Sequence, residues 1–174
     1  MKWIFFSYSL PANPSKARVY VWRQLKKMGA VNLQNVWVIP YAAERIRELE
    51  KLTEAIEKYA GSALVTVGTI PFKHQEQKVL EALTASRDEE YVEVIEQCEA
   101  FFKEIEFEIG RENFIFAEVE ENEEELEKLK RWCQKVERRD TVKAPLRKEA
   151  LKKIKQCEKI FNDFAKRVYD HQNA

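Results

Sequence analysis

The side chains best suited to binding an anion are concentrated at the start of the chain, around a predicted helix N-terminus. They are Ser7, Ser9, Asn13, Ser15 and Arg18. A helix N-terminus exposes unpaired N–H groups and the positive end of the helix dipole. No Asp or Glu precedes Glu44. This combination predicts an oxyanion or phosphate pocket. The alternative is an ordinary capped helix with solvated lysines, which the composition alone favours.

A basic stripe is predicted on the same helix. At about 100° per residue, Lys16, Arg23 and Lys27 fall within roughly 40° of one another. The apolar side chains form another face, which we expect to pack on a sheet: Ala17, Val21, Leu25 and Met28. Arg18 lies beside that face and is therefore assigned to the pocket. The stripe is predicted to contact DNA phosphates, and the alternatives are a solvated face or a face docked on the acidic residues 86–127.

The residue types give little support for a metal site or for a catalytic nucleophile. His74 and His171 lie far in sequence from any cysteine cluster, and four glycines are too few for a phosphate-binding loop. Ser7 and Ser9 have no histidine partner that the sequence identifies. We therefore expect no catalytic residues, no metal site and no cofactor.

Each of the three cysteines occupies the apolar stripe of a different predicted helix: Cys98, Cys133 and Cys157. We interpret them as small buried side chains, because a thiol sensor needs a low pKa and exposure to solvent. Their odd number without CxxC spacing indicates a reduced, cytoplasmic protein. The first residues are too short an apolar run for a signal peptide, and no stretch suits a membrane span, so no membrane association is expected.

The formal net charge of zero is the sum of opposing segments. Residues 1–43 hold six basic and no acidic residues, and residues 128–174 hold fifteen basic and six acidic ones. Residues 86–127 hold three basic and seventeen acidic residues. Our interpretation is that the acidic and basic helices pair with each other inside one molecule.

The elements that position these residues predict an α+β fold. Strands are expected at "KWIFFSY", "AVNL", "VWVIP" and "SALVTVGTI". One helix is expected after Asn13 as N-cap and before Gly29, and a second over about residues 42–59. The order β-α-β-β-α-β is that of a ferredoxin-like sandwich with both helices on one face, which we assign to residues 1–85.

Residues 86–174 are predicted to form a helical subdomain of about three helices. Their apolar stripes comprise Tyr91, Val94, Cys98, Phe101 and Ile105, then Leu126, Leu129, either Trp132 or Cys133, and Val136, then Leu151, Ile154, Cys157, Phe161, Phe164 and Val168. Asn122 is expected to cap the second helix and Pro145 to start the third. The segment "EIEFEI" could instead pair with "NFIFAEV" as a hairpin, but we prefer a helix through Ile109.

Long stretches of the chain resemble the N-terminal domain of the ChrB family, which is linked to bacterial chromate resistance. The resemblance rests on "YSLPANPSKARVYVWRQLKKMGAVNLQNVWVIP", "RDEEYVEV", "FIFAEVEENEEELEKLKRW", "RRD" and "APLRKEAL". It implies a chromate-responsive transcriptional repressor that acts on operator DNA, with chromate as an oxyanion ligand. Typical members continue into a C-terminal domain, so a chain that ends at Ala174 is interpreted as a stand-alone module.

In "LQNVWV" the chain more distantly resembles the ferredoxin-like nucleases of CRISPR adaptation and the matching domain of the phenylacetate repressor PaaX. Those nucleases carry an Asp at the end of the first strand, where this chain has Ser7 and Ser9. A hydroxyl does not replace a carboxylate as the ligand of a hard cation. The scaffold is therefore predicted to be non-catalytic.

Three hypotheses about function remain open. The first is a cytoplasmic regulator that binds DNA as a homodimer through the basic surface of its N-terminal domain. The second is a structural or protein-interaction module that recruits a partner through its acidic and basic helices, without DNA. The third is an oxyanion-binding protein without DNA contact. No helix-turn-helix pattern is visible, which argues against conventional reading of the major groove.

Overall fold

The computed structural model describes all 174 residues, which form two compact units. The sheet unit comprises Met1–Ser86 and Arg139–Val142. The helical unit comprises Arg87–Arg138 and Lys143–Ala174. A short segment beyond the end of the first predicted domain thus belongs to the sheet unit.

The elements follow one another in the order strand, helix, strand, strand, helix, strand, and then three helices. Their bounds are β1 Trp3–Ser9, α1 Ser15–Met28, β2 Val31–Leu33, β3 Val36–Pro40, α2 Ala43–Lys58, β4 Ser62–Gly68, α3 Lys73–Gly110, α4 Phe116–Arg139 and α5 Arg147–Gln172. The α+β class predicted from the sequence is confirmed. No helix of the chain combines the length and the apolar character that a membrane crossing requires.

The four strands form one antiparallel sheet in the order β2-β3-β1-β4. The apolar strand β1 is therefore internal, as its sequence predicts, with Phe6 opposite Trp37 of β3 and opposite Val65 of β4. The hairpin between β2 and β3 turns at Gln34 and Asn35, which both have positive φ. A two-residue turn of this kind matches the twist of the strands and fixes their register.

Side chains of β1 alternate between two apolar clusters, one on each face of the sheet. Ile4 and Phe6 pack with α1 and α2 around residues such as Val21 and Leu52. Trp3 and Phe5 face the other way, towards Val79 and Leu83 at the start of α3. Helices thus pack on both faces of the sheet. The sequence predicted helices on one face alone, because the first turns of α3 were not recognised as helix.

Helix α1 starts one residue later than the sequence predicts. Pro14 occupies the N-cap position, with an extended backbone and without a side-chain hydrogen bond, so the assignment of Asn13 as N-cap is wrong. The C-terminus agrees with the prediction: Gly29 adopts the left-handed conformation at φ 85°, and its N–H donates to the Lys26 carbonyl. The apolar face predicted for α1 is buried at Ala17, Val21 and Leu25 and half-buried at Met28.

The helical unit buries the three predicted apolar stripes in one core, which includes all three cysteines. The segment "EIEFEI" is helical through Gly110, so the helix interpretation is confirmed and the hairpin alternative is wrong. The N-cap assigned to Asn122 is also wrong, because α4 already begins at Phe116. Asn122 lies buried within that helix, where its Nδ2 donates to the Glu118 carbonyl at 2.8 Å.

Candidate nucleic-acid surface and oxyanion groove

The basic stripe of α1 forms on the solvent side of the helix. Lys16, Arg23 and Lys27 are all exposed, and the buried face of α1 points the other way, into the sheet. The first turn of α1 holds no acid, and Lys26 adds a further basic residue near its C-terminus. The stripe runs over about 16 Å, since a helix rises about 1.5 Å per residue. Its geometry is as predicted, whereas its role in contacting phosphates stays a prediction.

One end of the stripe is nearer to an acid than the sequence suggests. Lys27 and Glu48 of α2 line the same groove, of about 330 Å³, together with Tyr20 and Lys51. No salt bridge joins Lys27 to Glu48, but a carboxylate that lines the same groove weakens the positive potential there. Lys16 and Arg23 do not line this groove, so the acid-free part of the stripe is its N-terminal part.

A second groove, of about 400 Å³, lies where β1 ends beside the β2–β3 hairpin and α1. It is lined by Tyr8, Ser9, Leu10, Arg18, Asn32, Asn35 and Trp37. Arg18 reaches over it, and its Nη2 donates to the Leu10 carbonyl at 3.4 Å. Burial raises the pKa of the Tyr8 hydroxyl, and the nearby Arg18 partly opposes this shift. The groove therefore combines a guanidinium with a neutral phenol and two amides, which are all hydrogen-bond donors.

The structure brings together two of the five residues predicted to form the oxyanion pocket. Ser9 and Arg18 line the groove, and Ser9 Oγ lies 3.0 Å from Ser62 Oγ of β4. Ser7, Asn13 and Ser15 do not line it. Ser7 directly precedes and Ser9 directly follows Tyr8 in the extended strand, so both side chains point to the face of the sheet opposite Tyr8, where the Ser9 hydroxyl pairs with Ser62. Asn13 and Ser15 are exposed at the start of α1.

Four residues of the groove were missed by the sequence analysis: Tyr8, Asn32, Asn35 and Trp37. The alternation of side chains along β1 could have identified two of them. Tyr8 lies on the same face of the sheet as Phe6, and Phe6 pairs with Trp37. The pairing of β2 with β3 then places Asn32 opposite Trp37. Using that signal also requires the register of β1 against β3, which the predicted order of elements does not supply.

The three cysteines are fully enclosed in the core of the helical unit. The Cys157 thiol donates to the Cys98 carbonyl at 3.7 Å, which links α5 to α3. Burial raises the pKa of Cys133 to about 11. No group of three or more His, Cys, Asp or Glu side chains is placed to hold a metal ion.

Some residues of the acidic and basic segments pair with each other. Lys153 Nζ of α5 lies 3.5 Å from Glu99 Oε1 of α3. Lys128 and Lys130 pair with Glu125 and Glu127 one turn earlier within α4. The exposed lysines on the outer face of α5 form no salt bridge, so pairing inside one molecule does not account for the basic segment 128–174.

Comparison with known families identifies the chain more closely than its geometry does. The family model described as "Protein ChrB, N-terminal" matches residues 18–174. Among curated proteins, none matches the chain. Because the family match covers most of the sequence, this protein belongs to the family of the ChrB N-terminal region.

Proposed function

We propose that this protein is a cytoplasmic, non-catalytic regulator of chromate resistance that binds DNA through α1. The observation that carries the proposal is the exposed stripe of Lys16, Arg23 and Lys27 in a chain that belongs to the ChrB N-terminal family. Family membership supports a link to chromate resistance, and the stripe supports contact with a polyanion. The absence of a carboxylate in the last residues of β1 supports a role without metal-dependent cleavage.

The stripe suits phosphate contacts because its cations are exposed and rigidly presented by a helix packed on the sheet. Lys and Arg that neutralise phosphates release condensed counterions, which makes binding dependent on salt and independent of sequence. Such contacts fix the position of a protein on DNA, whereas base contacts select the sequence. Lys16 and Arg23 are expected to contribute most, since Glu48 lies near Lys27.

The groove beside β1 is the proposed site for an oxyanion such as chromate. Arg18 supplies the positive charge, and Tyr8, Asn32 and Asn35 supply neutral donors around it. Hydrogen bonds from a guanidinium to an anion are stronger than those between neutral groups. Arg18 also lies on α1, so an anion bound there would contact the helix that carries the DNA stripe.

We further infer that the sheet unit is a ferredoxin-like sandwich and that the regulator acts as a homodimer. The chain order and the internal position of β1 between β3 and β4 support the first inference. The edge strand β4 supports the second. It is seven residues long, contains no charge and no proline, and leaves Leu64 64% exposed. Edge strands of monomers are usually protected by charge, proline or shortness.

The test of this function is a mobility shift on a duplex taken from upstream of the protein's own gene. We expect binding to weaken steeply between about 50 and 200 mM salt. Chromate should release the DNA, whereas sulfate, a dianion of the same shape, should not. Absence of binding at low salt contradicts the proposal, and magnesium-dependent cleavage of the duplex contradicts its non-catalytic part.

A protein-interaction module is the second candidate, because α1 also exposes apolar and aromatic side chains. Val19, Tyr20 and Trp22 flank the basic stripe, and each is between 43% and 49% exposed. Aromatic residues are enriched in the cores of protein interfaces. If this candidate is correct, Trp22→Ala abolishes association measured by light scattering, and the affinity for DNA is negligible at every salt concentration.

A further inference from the structure

A row of lysines on α5 of the helical unit has no role in the function proposed above. Lys148, Lys152, Lys155 and Lys159 fall within roughly 60° of one another on the helix surface, at about 100° per residue. All four are exposed, on the side of α5 opposite its buried stripe. We call these four residues the lysine row. With a rise of about 1.5 Å per residue, it extends over about 16 Å.

The charges of the lysine row are not neutralised within the molecule. None of the four ammonium groups forms a salt bridge, whereas the neighbouring Lys153 pairs with Glu99 and the neighbouring Glu158 pairs with Lys130. Asp163 lies one turn after Lys159 and about 40° around the helix from it, whereas Glu158 lies about 60° or more from each lysine of the row. Glu149, next to Lys148 in sequence, also lies about 60° or more around the helix from the lysines of the row. It shares with Lys148 and Lys152 a shallow groove of about 520 Å³. Further along α5, Lys166 continues the direction of the row, but Asp163 and Asp170 lie beside it.

The N-terminus of α5 does not account for a binding site at this place. The Leu146 N–H at the cap position donates to Asp88 Oδ1 at 3.0 Å, so a carboxylate already occupies that end of the helix. The four side-chain charges, and not the helix dipole, therefore determine which partner the surface fits.

The composition of the row distinguishes between two kinds of anionic partner. Cores of protein interfaces are depleted in Lys and enriched in aromatic residues, and no large aromatic side chain lies between the lysines of the row. Lysine is a flexible point charge without the planar fork that suits a fixed carboxylate. A regular line of such charges instead matches the phosphates of a nucleic acid, which neutralise cations without demanding exact geometry.

We infer that the lysine row of α5 is a second DNA contact, which binds the phosphate backbone of duplex DNA. The inference rests on the proposed function, because it assigns a further surface to the same DNA-binding activity. The row contributes affinity and not sequence selection, so its effect is the same on the upstream duplex and on an unrelated duplex of equal length.

The test replaces all four lysines by glutamine, which removes the charge and preserves helix propensity. The matched control replaces Arg47, Lys58, Lys73 and Lys78, four exposed basic residues of the sheet unit, by glutamine. Binding to the upstream duplex and to a scrambled duplex is measured over a range of salt. We expect the slope of log K against log salt to fall by about 0.9 per lost contact, up to about 3.6, in the row variant alone. Circular dichroism and the melting temperature check that both variants fold.

Each other outcome of the test overturns the inference in a recognisable way. If wild type binds DNA and the row variant keeps its salt slope, the row is not a DNA contact, and the proposed function stands. If the salt slope falls by the same amount in the row variant and in the control variant, the loss reflects the change in net charge, and the row is not a specific DNA contact. If wild type binds neither duplex at low salt, the proposed function and the inference both fail. If the row variant loses self-association in sedimentation with unchanged DNA affinity, the row binds the acidic surface of a second copy.

Discussion

The thiols of Cys98, Cys133 and Cys157 lie in the core of the helical unit, away from water. Burial raises the pKa of Cys133 to about 11, and the hydrogen bond to Cys98 together with burial raises the pKa of Cys157. The hydrogen bond with Cys157 lowers the pKa of Cys98, so the protection of that thiol depends on its complete burial. Because the reagent must reach the thiolate, labelling of all three cysteines by Ellman's reagent at neutral pH should be slow in the native state. We expect it to be at least about 100-fold slower than in denaturant.

The control for this labelling experiment is Thr69→Cys, which adds an exposed thiol after β4. It should react rapidly in the native protein while the three natural cysteines do not. Rapid native labelling of any natural cysteine, located by mass spectrometry, would contradict the structural role and favour a thiol sensor.

The buried indole of Trp3 depends on a single carboxylate for its hydrogen bond. Trp3 Nε1 donates to Glu76 Oε1 at 2.7 Å, and the N-terminal ammonium lies 3.4 Å from the same oxygen. Glu76→Ala leaves the indole N–H without this partner, and we expect the melting temperature to fall by about 2–4 °C. Glu76→Gln retains an acceptor and should cost less. Equal melting temperatures for wild type and Glu76→Ala would show that the bond does not stabilise the fold.

The same contact predicts a dependence of stability on pH. The hydrogen bond from Trp3, and then the N-terminal ammonium, lower the pKa of Glu76 below its usual value. The folded state therefore favours the carboxylate over the protonated acid. This contribution is present above the usual carboxyl pKa and is lost as pH falls through the lowered pKa. In acid, the difference in melting temperature between wild type and Glu76→Gln should shrink.

Among the predicted site residues, the positions of those on a helix could be read from helical periodicity. The positions of those in the groove, which is built on the sheet, could not. Lys16, Arg23 and Lys27 could be placed on one exposed face because the period of a helix is fixed. The groove around Arg18 depends on strand pairing, which brings Asn32 and Tyr8 to the same place. The register between strands that are far apart in the chain produces no periodic pattern in the sequence. The asparagines of the groove were therefore not predicted.

At the scale of the elements, Gly29 joins α1 to β2 in a conformation that other residues rarely adopt. Its φ is 85°, and a Cβ at this position would collide with the backbone carbonyl of Arg139, which belongs to the same unit. Gly29→Ala should therefore lower the free energy of unfolding by about 1–2 kcal/mol or more, measured in urea. Gly110→Ala is the control, because a Cβ there meets no atom within 4 Å. Similar effects of the two substitutions would contradict the argument.

The bounds of the strands and of the first two helices were predicted within a few residues, but the start of α3 was not. The sequence pattern predicts that a new helix starts near Arg87, because the apolar stripe that includes Tyr91 begins there. In the structure α3 runs without interruption from Lys73 to Gly110. No Gly or Pro lies between these two residues to end a helix. Val79 and Leu83 belong to a different core from Tyr91, so one helix carries two apolar patterns that appear as two elements.

At the scale of the whole molecule, the exposed edge of β4 predicts how copies of the chain associate. Leu64 lies on this edge and is 64% exposed. If two copies pair their β4 edges, Leu64→Lys places like charges near the two-fold axis and should shift the protein to monomer in sedimentation velocity. Val92→Lys, which changes an exposed apolar residue of α3, should leave association unchanged. A wild-type protein that is monomeric at every concentration would contradict the dimer.

The charge distribution shows what composition could and could not predict at this scale. A net charge of zero gives no support for the DNA binding proposed above, whereas the order of charges along the chain does support it. The sequence suggested that acidic and basic helices neutralise each other, and the structure pairs Lys153 with Glu99. The lysine row of α5 is exposed because it lies on the side of the helix opposite the buried apolar stripe. The period of a helix already predicts this separation from the sequence.

The stripe on α1 leads to the prediction that most directly tests DNA binding. Changing Lys16, Arg23 and Lys27 together to Ala removes three exposed cations without touching the buried face of α1. We expect weaker binding to all duplexes, and a salt slope smaller by about 0.9 for each lost phosphate contact. Stability should change little, because exposed charges contribute about 0–1 kcal/mol each and Ala favours helix.

The matched control changes three exposed basic residues outside α1, Arg47, Lys58 and Lys73, to Ala, so that net charge falls by the same amount. Single variants add a finer expectation. Lys16→Ala and Arg23→Ala should each lower the slope more than Lys27→Ala, because Glu48 lies in the groove beside Lys27 and already offsets part of its charge. An unchanged slope in the triple variant, with wild type still bound to DNA, would remove α1 from the interface and leave α5 as the surface to examine.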